Sequence, residues 1–165
     1  MTVILDNGET LDALPNDAAT AAHVVRIEGN ADLRGYAHPL PALRRIDGWA
    51  ILRDYAHALP DGLIVGGWLD LSGCKGLTAL PRGLTVAGSL YLSGCTGLDR
   101  YCVGRDARDY AFYGVPMRDG AHVVAGCRNF TAAQALAHWG PGGESDRPDC
   151  LALARQAIAL AEERS

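Results

Sequence analysis

Cysteine is the residue type here with the widest chemistry. Two of the five cysteines recur in one phrase, Leu-x-Leu-Ser-Gly-Cys-x-Gly-Leu, at residues 69–77 and again 21 positions later. A thiolate is a nucleophile and a soft metal ligand, so three chemistries are open. Cys74 and Cys95 could bridge neighbouring repeats as a disulfide. With His57 they could hold zinc, which favours thiolate and imidazole. Cys127 could act as a nucleophile with His122 or His138 as its base, as in a Cys-dependent hydrolase or transferase.

The pattern favours none of the three: the disulfide has tolerable spacing but doubtful geometry, and a hairpin cysteine such as Cys127 is more often core. Cys74 and Cys95 occupy a column that holds Tyr36 and Tyr55 in earlier repeats, so the position belongs to the repeat. A small thiol there packs as a hydrophobe. No C-x-x-C or H-x-x-x-H occurs, and ladder neighbours would line ligands up instead of arranging them as a tetrahedron. Phosphate-loop, G-x-S-x-G and H-E-x-x-H patterns are also missing. The chain therefore reads as a non-enzyme with no cofactor and no metal. A Cys127–His138 enzyme is kept as the least favoured alternative.

The composition points the same way. Net charge is −4, and no basic run exceeds Arg44-Arg45, so the basic footprint that nucleic-acid binding needs is lacking. No apolar stretch approaches the ~20 residues of a membrane span. The N-terminal stretch lacks the basic start of a secretory signal. An odd cysteine count in a chain large enough to bury a core favours a reducing compartment. The expected location is a cytoplasm, bacterial or host.

The repeat is the strongest signal in the chain. Aligning the sequence on itself gives four registers. One column is Ile27, Ile46, Val65 and Val86, and the next is Gly29, Gly48, Gly67 and Gly88. Ala31, Ala50, Leu69 and Leu90 follow, and then Leu33, Leu52, Leu71 and Leu92. The strand columns are spaced 19, 19 and 21 residues apart. Apolar residues fall at every second position, which predicts one strand per unit with one face buried. A glycine turn and Leu-Pro then end each of the first three units. A single unit cannot bury its own apolar face, but stacked units can, so the pattern predicts a solenoid.

Leu-x-Leu-x-x-Cys-x-x-Leu-x-x-Leu-Pro at 69–81 resembles a bacterial leucine-rich repeat. LPDGLIVGGWLDLSG and LPRGLTVAGSLYLSG are similar to the LP-x-GL-x-V-x-G-x-L-x-L variant seen in bacterial and phage proteins. Units one and two depart from it, with Ala31 and Ala50 for Leu and Tyr36 and Tyr55 for Cys. The resemblance implies a solenoid scaffold, of phage or prophage origin, which by extension would inhibit a host-defence component. The expected fold class is α+β, mainly β: a short leucine-rich-repeat-like solenoid of four strand-turn units with caps. The expected organisation is a single domain with an N-terminal cap (1–23), a repeat solenoid (24–103), a β-hairpin cap (104–130) and two helices (131–165).

Strand alternation also picks out a surface. It turns Asp32 and Arg34 outward on the first unit and Trp49, Ile51 and Arg53 on the second. Trp68 and Asp70 follow on the third unit, and Tyr91 on the fourth. Trp49 and Trp68 share a column. A contiguous exposed aromatic patch with rim charges is a common interface signature. These eight residues are the candidate partner-binding site: Trp49, Ile51, Trp68, Asp70 and Tyr91 as anchors, Asp32, Arg34 and Arg53 as rim charges. The expected partner is a protein, bound by a monomer. A homodimer through the same face is the alternative, and a terminal helix folded over the face is the competing use of the aromatics.

Overall fold

The computed structural model describes residues 1–164. The chain opens with β1 (Thr2–Leu5), β2 (Thr10–Leu11) and a short helix, α1 (Ala18–Ala21). Asp17 starts the helix by accepting a hydrogen bond from the Thr20 N–H, the usual way to satisfy a free N-terminal donor. Four strand pairs follow: β3 (Val24–Glu28) with β4 (Ala31–Asp32), β5 (Arg45–Ile46) with β6 (Ala50–Ile51), β7 (Ile64–Val65) with β8 (Leu69–Asp70), and β9 (Thr85–Val86) with β10 (Leu90–Tyr91). They form a β-solenoid of about three turns.

The single strand expected per unit is corrected to two. The chain bends at Gly67 and at its column mates, so each coil contributes one short strand to each of two parallel sheets. The first sheet runs β2-β1-β3-β5-β7-β9 and the second runs β10-β8-β6-β4. Backbone packs on backbone at this corner. A Cβ on Gly67 would lie 2.8 Å from the Trp49 nitrogen, so only glycine fits. Inward positions keep the predicted alternation, and Leu33, Leu52, Leu71 and Leu92 are each at most 1% exposed. Cys74 and Cys95 face the same interior, where their thiols donate to the Leu52 and Leu71 carbonyls at 2.9 Å. Burial pushes both thiols up, Cys95 to about 11, which makes them poor nucleophiles. All five cysteines are free.

After the coils comes a four-stranded antiparallel sheet: β11 (Cys102–Arg105), β12 (Ala111–Met117), β13 (Gly120–Ala125) and β14 (Arg128–Thr131). The expected hairpin is its central pair. β11 and β14 are additions, and β11 starts inside the stretch assigned to the repeats. One face of this sheet sends Val115, Met117 and Val124 into the solenoid core. The other face packs Phe112 and Val123 against two helices, α2 (Ala132–Trp139) and α3 (Pro148–Glu162). Thr131 and Gln134 form a complete capping box on α2. Gly114 lets α3 close on β12, because any Cβ there would strike the Ala157 carbonyl.

A second column sits at the turn after each coil's second strand. Gly35, Asp54, Gly73 and Gly94 all have positive φ, with Asp54 at 58°. Left-handed backbone costs an L-residue about 1–2 kcal/mol, and Asp54 makes no side-chain hydrogen bond or ion pair among the described residues that would offset this. Asp54→Gly is therefore expected to raise unfolding stability by about 1 kcal/mol, measured as a higher urea midpoint at unchanged slope. A lower midpoint would contradict the strain assignment.

Candidate functional site

In-register parallel strands lie ~4.8 Å apart, so identical outward residues on successive coils sit one above another. Trp49 and Trp68, at the corner column, do this. Their rings stack with centroids 5.0 Å apart and planes 5° from parallel. Tyr91, one column over on the fourth coil, meets Trp68 edge-on at 6.3 Å. All three rings are half-buried. Asn30 caps the column below by accepting from the Trp49 backbone N–H at 3.1 Å. Neither indole N–H has a protein partner among the described residues, and neither is shut away from solvent. Stacking uses the ring faces, so the surface is offered ring edges and two indole donors.

The ladder aligns Asp32 with Ile51, Ile51 with Asp70, and Asp70 with Tyr91. The rim charges are not free. Arg34 forks onto Asp32 through Nε and Nη2, and both stay exposed. Asp70 corrects the sequence reading. It was expected to stand outward as an anchor of the exposed face, but only 4% of it is exposed. The Ser72 N–H donates to it at 2.9 Å and the Arg53 Nε at 2.6 Å. Burial alone would push the Asp70 carboxyl up, and the Ser72 and Arg53 hydrogen bonds more than reverse this, so its pKa lies below the ordinary value. The exposed half of the pair is Arg53, and the face presents a cation there where an anion was expected.

The fourth coil's aromatic end opens into a groove of about 440 Å³ between the coil and the C-terminal elements. Tyr91 and Ser93 form one wall; Tyr110, Arg128 and Trp139 form the other. Cys127 and His138 also line the groove, but no hydrogen bond joins them. His138 instead pairs with Glu144 through Nδ1 at 2.9 Å. His122, the other base considered, is buried and hydrogen-bonded to Asn129 at 2.9 Å. His57 and His38 each bond a backbone carbonyl, of Ala37 and Asn16 respectively. Among the described residues no three His, Cys, Asp or Glu side chains converge as a metal site, and no helix is long and apolar enough to cross a membrane.

Sequence reasoning missed the groove. Asp106 organises it, accepting from the Arg108 and Tyr110 amides at 3.0 and 2.9 Å and from Arg147 at 3.0 Å. The only sequence cue was the D-x-x-D-Y spacing of a side-chain-nucleated turn at 106–110.

Replacing Asp70 by Asn keeps the shape but turns an amide NH₂ toward Arg53. A charge-assisted hydrogen bond is lost, at about 1–3 kcal/mol. The Asp70 pKa is depressed on folding, so its contribution is present above the unfolded value and fades as pH falls through the folded one. Wild type should therefore exceed Asp70→Asn in thermal stability at pH 7, with the gap closing below about pH 4. A gap independent of pH would contradict the ion pair.

Comparison with protein-family models, with curated proteins and with solved structures gives no significant match for this chain.

Proposed function

We propose that the chain is a non-catalytic protein-binding module on a leucine-rich-repeat-like solenoid, with residues 1–23 capping its first coil. The observation that carries this reading is the half-exposed Trp49–Trp68 stack, whose two indole donors have no partner among the described residues. Tryptophan and arginine are enriched among the residues that dominate interface energetics. Here both occur on one rigid sheet corner, with Trp49, Trp68, Ile51 and Tyr91 as the apolar centre. Arg53, Arg34 and Asp32 form the charged rim. The rigidity matters because side chains already held by stacking lose little freedom on binding.

Capping of the solenoid supports the same reading. β1 pairs antiparallel with β3 and closes the first sheet's edge, while Tyr36 donates to the Pro15 carbonyl at 2.9 Å and ties the 15–16 segment to the first coil. A scaffold whose first edge is protected in this way can expose a side face without inviting edge-to-edge association.

The test compares affinity capture from bacterial lysate by wild type and by Trp49→Ala/Trp68→Ala, with circular dichroism to confirm that the variant is folded. At least one protein should be retained by wild type and lost, or weakened about tenfold or more, in the variant. Equal recovery of every protein by both would remove this face from consideration. Sedimentation at micromolar concentration separates the homodimer: a dimer dissolved by Trp68→Ala alone would assign the face to self-association.

A further inference from the structure

A solenoid must end somewhere, and its last coil leaves backbone groups that no following coil can meet. In the second sheet the N–H groups of Leu33, Leu52 and Leu71 each donate to the next coil, at the carbonyls of Ile51, Asp70 and Tyr91, at 2.8, 2.8 and 2.9 Å. Leu92 heads this column. No fifth coil exists, and its N–H makes no hydrogen bond among the described residues. One turn further on, the Gly73 N–H donates to the Ser93 carbonyl, and the Gly94 N–H above it has no partner among the described residues.

The first sheet is treated differently. Its last carbonyls, at Leu84 and Gly88, accept from the Arg118 N–H at 3.0 Å and from Asn129 Nδ2 at 2.9 Å. The C-terminal sheet therefore closes one edge of the fourth coil and stands off from the other. A small cavity of about 110 Å³, bounded by Leu92, Gly94, Tyr113 and Val124, fills the gap. It shares Ser93, Tyr110 and Gly126 with the larger groove.

The charge of that groove is opposite to that of the whole chain. The protein carries −4 overall, yet three arginines line the groove against one aspartate, Asp106. Asp106 is already committed to Arg147. Arg108 and Arg128 have no ion pair among the described residues, and Arg128 only lies over the Phe130 ring. Around 440 Å³ is within the range of built ligand sites, ~300–1,000 Å³, and Tyr91, Tyr110 and Trp139 supply apolar walls.

We propose that this groove binds an extended acidic segment of a protein partner, held by the arginines and by the Tyr91, Tyr110 and Trp139 rings that line it. The segment's carboxylates meet the Arg108 and Arg128 guanidinium groups in charge-assisted hydrogen bonds. The groove shares Tyr91 with the proposed aromatic face, but neither Trp49 nor Trp68 lines it, so the tryptophan and arginine variants test the two surfaces separately.

The test pans a displayed library of random heptapeptides against the full chain and then measures the selected sequences as synthetic peptides. Enriched peptides should carry clustered Asp or Glu and bind Arg108→Gln/Arg128→Gln at least about tenfold more weakly. They should also shift the side-chain signals of Tyr91 and Trp139, which line the groove. Both arginines are exposed, so the double variant tests binding without disturbing the core. Failure to enrich any peptide, equal binding by wild type and variant, or unmoved Tyr91 and Trp139 signals would overturn the proposal. So would displacement of the peptides by inorganic phosphate at equal concentration, which would give the groove to small anions.

Discussion

The constraint on which the rest depends is the backbone ladder between coils. A two-residue strand has almost no stability of its own, so each coil is held by what the coils above and below donate and accept. The same register then fixes the side chains. Leu33, Leu52, Leu71 and Leu92 stack inward because their backbones are paired, and Trp49 and Trp68 stack outward for the same reason. The glycine corner follows from it too. Coils spaced at hydrogen-bonding distance leave no room for a Cβ where the chain turns from one sheet to the other.

A ladder cannot satisfy its own ends, and the two ends of this one are handled by different means. An antiparallel strand lies against the first coil. At the other end the C-terminal sheet inserts between the last coil and two helices, lending its inner face to the solenoid core and its outer face to a second core. Its donors reach only one of the fourth coil's two edges. The two proposed surfaces lie on this frame: an aromatic column along the side of the stack, and an arginine-lined groove beside the fourth coil.

The repeat was legible in the sequence because it is local: every column recurs within about twenty residues, and burial at period two survives the bend at Gly67. The bend itself was not legible, since glycine fits a continuous strand and a corner equally well. Alternation placed Asp70 outward, but it does not register that Arg53 and Ser72 reach back to cover the carboxylate. β11 and β14 are short and mixed in polarity, and only pairing with the hairpin makes them strands. The groove was invisible for a different reason. Its walls come from coil four, the 106–110 turn, β14 and α2, segments brought together by tertiary docking that no spacing encodes. Thr131 and Pro148, by contrast, act within one helical turn of the helices they start, so the two helices expected over 131–165 needed only local signals.

Residue-resolved amide hydrogen exchange tests the ladder most directly. Stacked coils require the Leu33, Leu52 and Leu71 amides to exchange slowly, near the rate set by global unfolding, while the Leu92 amide exchanges orders of magnitude faster despite its equal burial. Fast exchange at Leu52 and Leu71, or protection of Leu92 equal to theirs in the free protein, would contradict the stacking on which both proposed surfaces rest.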